Sequence, residues 1–144
     1  MKVVCDTNVW LSALTSKLGA SYQVVKWLFE HQAQVHCIST PFILELEDVF
    51  LREQNRDRMP YFLDEQLNQF IDDICHISEH QAIYFLWRPQ IKDPKDDMVL
   101  ELVTNAQADY LVTYNLKDFK QAAKKFNFTL VTPKQFLTIA GVAS

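Results

Sequence analysis

Apolar positions along this 144-residue chain follow two rhythms. Short, mostly apolar runs at KVVC (2 to 5), QVHCI (34 to 38), DYLVT (109 to 113) and TLVT (129 to 132) have the length and residue types of strands. Longer segments between them repeat apolar residues at three- and four-residue steps, the spacing of a helix face. In SYQVVKWLFEHQ the face carries Tyr22, Val25, Leu28 and Phe29, with Ser21 placed as an N-cap. In STPFILELEDVFLRE, Ser39 or Thr40 caps and Pro41 sits in the first turn, where its missing N–H costs nothing. YFLDEQLNQFIDDICHI (61 to 77), DDMVLELVTNAQ (96 to 107) and LKDFKQAAKKF (116 to 126) repeat the pattern, and TPKQFLTIA adds a last helix capped by Thr132. Strands alternating with helices predict an α/β fold: parallel pairing, right-handed crossovers and helices on both faces of the sheet.

Size and composition narrow the class. The length suits one domain with one core, and nearly half the residues are apolar with only two glycines, the profile of a globular protein rather than a disordered or fibrous one. Cys5, Cys37 and Cys75 are odd in number and lack C-x-x-C spacing, so reduced thiols and a cytoplasmic setting are expected rather than a disulfide framework. No charged leader precedes a long apolar segment and no eighteen apolar residues run together, so neither secretion nor a membrane span is expected. The net charge of −4 is uneven. Residues 1 to 87 hold 6 Lys/Arg against 12 Asp/Glu, whereas residues 88 to 144 hold 8 against 6. The last third therefore offers a basic patch, Lys117, Lys120, Lys124 and Lys125, to a phosphate backbone, although any one of these lysines taken alone reads first as a solvated helix residue.

The acids carry the chemistry. In a parallel sheet with helical crossovers, ligands gather outside the carboxyl ends of the strands. Asp6 directly follows the first strand, and Glu45 lies about one turn into the helix after the second. Asp96 and Asp97 open the helix leading to the third strand, reached through the polar connection IKDP, and Thr113, Asn115 and Asp118 follow that strand. Each has a plain alternative: an Asx-turn for Asp6, macrodipole-favoured acids for Asp96 and Asp97, a solvated helix residue for Glu45. Carboxylates sharing a small volume raise one another's pKa unless a cation compensates. Oxygen ligands without a nearby His or Cys favour Mg²⁺ or Mn²⁺, which points to phosphodiester hydrolysis.

The segments DTNVWLSAL, STPFILELEDVF, KDPKDDMVLELV and ADYLVTYNLKDF, in that order, resemble the PIN-domain family of metal-dependent ribonucleases, and within it the toxins of bacterial toxin–antitoxin pairs. The resemblance spans nearly the whole chain. It implies a three-layer α/β/α fold around a mostly parallel sheet of four to five strands. It also implies an endoribonuclease acting on single-stranded or structured RNA, with Mg²⁺ or Mn²⁺ as cofactor and a cognate antitoxin as partner. Carried over by motif, Asp6, Glu45 and Asp97 become the catalytic and metal-holding acids, with Asn8 bracing them and Asp96 a nearby substitute. Glu47 is about 200° around the helix from Glu45 and faces elsewhere. Where the family usually has an aspartate in a T-x-D motif, this chain has Asn115, which contributes no charge; Asp118, one turn on, is the candidate replacement. Thr113 is expected to bond a scissile phosphate or a ligand water, and Lys117 and Lys120 to meet RNA.

Other readings remain at this level. A PIN-like module that binds nucleic acid or protein with little or no catalysis fits Asn115. A haloacid-dehalogenase-type phosphatase fits poorly, because its second aspartate would fall at Asn8. His76 and His80 stand four apart without a third ligand and read as surface residues. Trp10, Trp27, Phe29, Phe42, Phe50, Phe62 and Phe70 fall at core spacing, whereas Trp87, beside Arg88 and Pro89, is a candidate contact for a partner or a nucleobase. The family resemblance also implies a homodimer, since such proteins often pair, and the apolar helices at 21 to 31 and 61 to 77 would extend its interface.

Overall fold

Val3, Val4 and Cys5 are all fully buried, as a strand covered on both faces must be, and they form β1 (Val3–Cys5). The chain continues through α1 (Thr7–Thr15), α2 (Ala20–Glu30), β2 (Cys37–Ile38), α3 (Thr40–Leu51), α4 (Glu53–Asp57), α5 (Asp64–Ile77) and β3 (Glu79–His80). It ends with α6 (Pro94–Ala106), β4 (Tyr110–Val112), α7 (Leu116–Phe126), β5 (Thr129–Val131) and α8 (Pro133–Ile139). This computed structural model describes residues 1–31, 35–83 and 94–142; Trp87, Arg88, Pro89 and residues 91 to 93 of the IKDP connection lie outside them.

The four strands expected from the sequence are present. β1, β4 and β5 pair in parallel in the order β1-β4-β5, with Val4 opposite Leu111 and Leu111 opposite Leu130. β2 pairs in parallel with β3, a strand too short and polar to signal itself, and one parallel bridge between Val3 and His36 joins this ladder to β1. The expected sheet of four to five strands is thus realised as three strands and two, ordered 3-2-1-4-5 and meeting at a single rung.

The interruption has a physical cause. Val3 N–H donates to the Val35 carbonyl at 2.8 Å, but two residues on, Cys5 N–H donates to Nε2 of the His36 side chain at 3.1 Å. The Cys5 carbonyl accepts from the Trp10 indole at 3.1 Å. Side chains therefore satisfy both backbone groups of the last β1 residue, where a continued ladder would use β2. An amide N–H only donates, so Nε2 is the unprotonated nitrogen and Nδ1 donates to Ser78 Oγ at 3.0 Å. Burial holds the His36 pKa down at about 3, and the Trp10 ring meets the imidazole edge-on at 5.0 Å.

Helix ends follow the expected chemistry in most places. Ser39 Oγ accepts from Phe42 N–H, with Pro41 in the first turn of α3. Thr132 and Gln135 bond reciprocally at the start of α8. Ser21 is a correction: Gly19 is the N-cap of α2, and Ser21 is fully buried, its hydroxyl 2.6 Å from that of Tyr114. The buried face of α2 is accordingly Ser21, Val24, Val25 and Leu28, leaving Tyr22 at the surface. Trp10, Phe42, Phe50, Phe119 and Phe136 are wholly buried, and Phe70 stacks on Phe29 and Phe50. The three cysteines are free thiols, and burial pushes Cys37 up to about 11 and Cys5 higher still with help from the Asp6 charge. They are packing residues, not nucleophiles. Among the described residues, no helix is long and apolar enough to cross a membrane.

Candidate functional site

Asp6 takes the position that the end of β1 dictates. Its N–H still completes the β1–β4 ladder through the Val112 carbonyl at 2.9 Å, while its side chain caps α1, Oδ1 accepting from Thr7 N–H at 2.7 Å. The Asx reading and the site reading thus describe the same residue. Only 4% of Asp6 is exposed. Its second oxygen, Oδ2, accepts from the Thr113 hydroxyl at 2.8 Å.

Thr113 follows β4 and is fully buried, its N–H bonded to the Val131 carbonyl of β5. The hydroxyl has one proton, given to Asp6, and it accepts from Asn115 N–H at 2.9 Å and from Asn8 Nδ2 at 3.3 Å. That is its full inventory of one donation and two acceptances. Thr113 therefore has no bond left for a scissile phosphate, and its hydroxyl instead fixes the Asp6 carboxylate. Asn8 closes the loop by accepting from Tyr114 N–H at 3.4 Å. Asn115 Nδ2 donates to Asp118 Oδ2 at 2.9 Å, which links α7 to the same network. One run of hydrogen bonds thus brings Asp6, Asn8, Thr113, Asn115 and Asp118 together.

The remaining acids differ in environment. Asp97 lies in the first turn of α6 and is 2% exposed, unlike a solvated helix-start acid. Glu101, one turn further, is 1% exposed. Glu101 belongs to none of the motif positions expected from the sequence, yet two signals mark it: it is a charge inside the apolar run MVLELV, and it stands four residues from Asp97, on the same helix face. α6 packs against β1, whose end carries Asp6, and α3 packs against α1 and α6. Glu45 on α3 is half-buried and Glu47 is exposed, which separates the two as their spacing requires. Arg52 Nη2 reaches Glu45 Oε1 at 3.3 Å and Asp48 Oδ2 at 2.6 Å, and these bonds, Asp48 first, raise the guanidinium pKa. Asp118 is exposed. Asp96 lies in α6 beside Asp97, its side chain outside the described set.

Asp6 and Asp118 follow the carboxyl ends of β1 and β4, and of the four expected acids only Asp6 and Asp97 are buried. Among the described residues, no three acidic, histidine or cysteine side chains form a group that could hold a metal by themselves. Exposed His76 and His80 are likewise part of no such group, and His80 meets the Thr40 hydroxyl instead. The donors at this edge are carboxylate and amide oxygens, a set that suits a hard divalent cation completed by water and substrate oxygens rather than by protein alone.

Comparison with known proteins decides the family. The model of the PIN domain family matches residues 2–117, most of the chain and every expected site residue except Asp118 and Lys120. The chain belongs to the PIN domain family. In structure, this PIN domain is similar to a chain of VapBC2 from Rickettsia felis, solved bound to a DNA fragment from its promoter. The TM-score is 0.58 at 19% identity, over 90% of this chain and 97% of that one. At that identity the likeness is one of fold, a three-layer α/β/α arrangement. No curated protein sequence matches the chain. Tyr114, between Thr113 and Asn115, is a further residue that no sequence motif singles out: half exposed, with its hydroxyl on Ser21, it forms part of the rim of the edge.

Proposed function

We propose that this PIN domain is a metal-dependent endoribonuclease, the toxin of a toxin–antitoxin pair, which hydrolyses phosphodiester bonds of single-stranded or structured RNA in the cytoplasm. The observation that carries the reading is Asp6: a buried carboxylate at the carboxyl end of a central parallel strand, both oxygens aimed by hydrogen bonds, on a PIN-family chain. In this reading Asp6, Glu45, Asp97 and Asp118 hold Mg²⁺ or Mn²⁺, with Asp96 as a substitute and Glu101 beneath Asp97. When bound, such an ion supplies a more acidic attacking water and stabilises charge on the phosphoryl and leaving oxygens.

The chain's own residues do the rest. Thr7 N–H and the Thr113 hydroxyl hold the Asp6 carboxylate in one orientation, so no reorganisation is needed when substrate arrives. Asn8 and Asn115 keep Thr113 in place, and Asn115 sets the Asp118 carboxylate at the mouth. Arg52 offsets the Glu45 charge, and this pair would have to open if Glu45 were to hold the ion. Lys117 and Lys120, exposed at the start of α7, meet the phosphates of the RNA. A small antitoxin protein is the regulating partner. A homodimer is part of the reading, supported by the groove that Tyr22, Val25, Phe29 and Phe70 line together with the Lys26–Glu30 pair between α2 and α5.

Asn115 favours a second reading, a PIN module that binds but cuts weakly, because it replaces a charge with an amide already engaged by Asp118. Metal removal separates the two. Cleavage of an end-labelled oligoribonucleotide by the purified chain is expected to stop in excess EDTA and to return with added Mg²⁺ or Mn²⁺. No cleavage under any metal condition, with binding retained, establishes the module instead.

A further inference from the structure

α7 carries a second feature that the chemistry above does not use. Phe119 and Ala122 are buried beneath it, while Lys117, Lys120 and Lys124 are exposed along one side, three and four residues apart. Between that side and β5 runs a groove of about 550 Å³ lined by Leu116, Lys117, Lys120, Ala123, Lys124 and Leu130. Three of these six are cations, the other three are apolar, and none is an acid. Asp118, the sole acid of α7, is bonded to Asn115, and Lys125 is set apart over the Phe126 ring, 5.2 Å from its centroid. The groove starts at Leu116, next to Asn115, whose N–H is bonded to the hydroxyl that holds Asp6.

We infer that this groove is the track along which a single-stranded RNA enters or leaves the site, phosphates on Lys117, Lys120 and Lys124 and bases against Leu116, Ala123 and Leu130. The inference rests on the nuclease reading and adds the path of the substrate. Two arguments select the occupant. An all-cationic rim over an apolar floor complements a chain that is anionic on its backbone and flat and apolar on its bases. The helical rise makes the track from Lys117 to Lys124 only about 10 Å long, which suits a few nucleotides of one strand.

The test measures binding of a fluorescein-labelled twelve-nucleotide oligouridylate to the full chain in EDTA, by anisotropy over a salt series. Three phosphate contacts on a single strand give a slope of log K against log salt of about −2. Lys120→Gln combined with Lys124→Gln is expected to bring the slope to about −0.7 and to weaken low-salt binding by roughly tenfold or more, while Lys125→Gln changes neither. In metal, Lys124→Gln is expected to raise KM with little change in kcat. An unchanged slope and affinity in the double variant overturns the track even if metal-dependent cleavage is intact. Lysine-dependent binding by a chain that cuts nothing in any metal leaves the track standing and removes the nuclease reading instead. Equal lysine dependence for a twelve-base-pair RNA duplex, or for an acidic amphipathic peptide alone, also overturns the single-strand assignment.

Discussion

Asp6→Asn is expected to lower RNA cleavage by roughly a thousandfold or more, about 4 kcal/mol of transition-state stabilisation, while leaving the folded chain intact. The separation follows from what Asp6 does in the fold. Its cap needs one oxygen to accept from Thr7 N–H, which an asparagine carbonyl still provides. Its backbone rung to Val112 involves no side chain. The lost element is the charge, together with the second accepting oxygen that the Thr113 hydroxyl now meets. An amide there presents a donor to Thr113, whose proton must turn away. Cleavage assays alongside thermal unfolding check both halves: activity at the level of the wild type, or loss of activity explained by an unfolded chain, each contradicts the assignment.

Stability below neutral pH is expected to depend on one residue that is not among the acids, His36. Its folded pKa of about 3 lies well below the ordinary 6.5. The unfolded chain therefore binds a proton that the folded chain refuses, and the His36 contribution is complete above pH 6.5 and is lost as pH falls toward 3. Between about pH 7 and pH 5 that loss is about 2 kcal/mol, from about 1.4 kcal/mol per pH unit once the unfolded imidazole is charged. Protonated Nε2 would also face the Cys5 N–H, donor against donor, at the strand end that sets Asp6. His36→Gln keeps an acceptor for that N–H without a titrating group. It is expected to be less stable at neutral pH, because the ring contact with Trp10 is lost, yet to lose about 2 kcal/mol less between about pH 7 and 5. Urea unfolding of both chains at the two pH values measures it; parallel losses contradict a neutral buried His36.

What the sequence discloses and what it withholds divide along physical lines. Signals confined to a few adjacent residues are legible: the apolar strands, the Ser39 and Thr132 caps, and Asp6 at the end of VVC. The contribution of a residue that acts across the fold is not. His36 sits in an apolar run as if it were one more strand residue, and nothing local says that its ring replaces a rung of the ladder to Cys5. β3 is two polar residues, Glu79 and His80, and exists because β2 offers it the His36 and Ile38 carbonyls. α1 is hidden because DTNVWLSAL reads as a site motif, although its Asp6 also serves as helix cap. Ser21 looks like a cap but is used by Tyr114, 93 positions away.

The candidate site shows the same division. Residue types at the carboxyl edge can be named from motif order, but not how each is held. The Thr113 hydroxyl looks available to substrate and is committed to Asp6. Glu45 looks like an unencumbered ligand and is met by Arg52. Glu101 looks like a helix charge and is buried.

Titration calorimetry of the purified chain with Mn²⁺ tests the central claim most directly, because metal uptake is read without any substrate. Saturable binding near whole-number stoichiometry by the wild type, weakened by roughly tenfold or more in Asp97→Asn, is the predicted result. Absence of stoichiometric uptake by the wild type, or an isotherm unchanged by the substitution, would mean that these acids do not make a metal site.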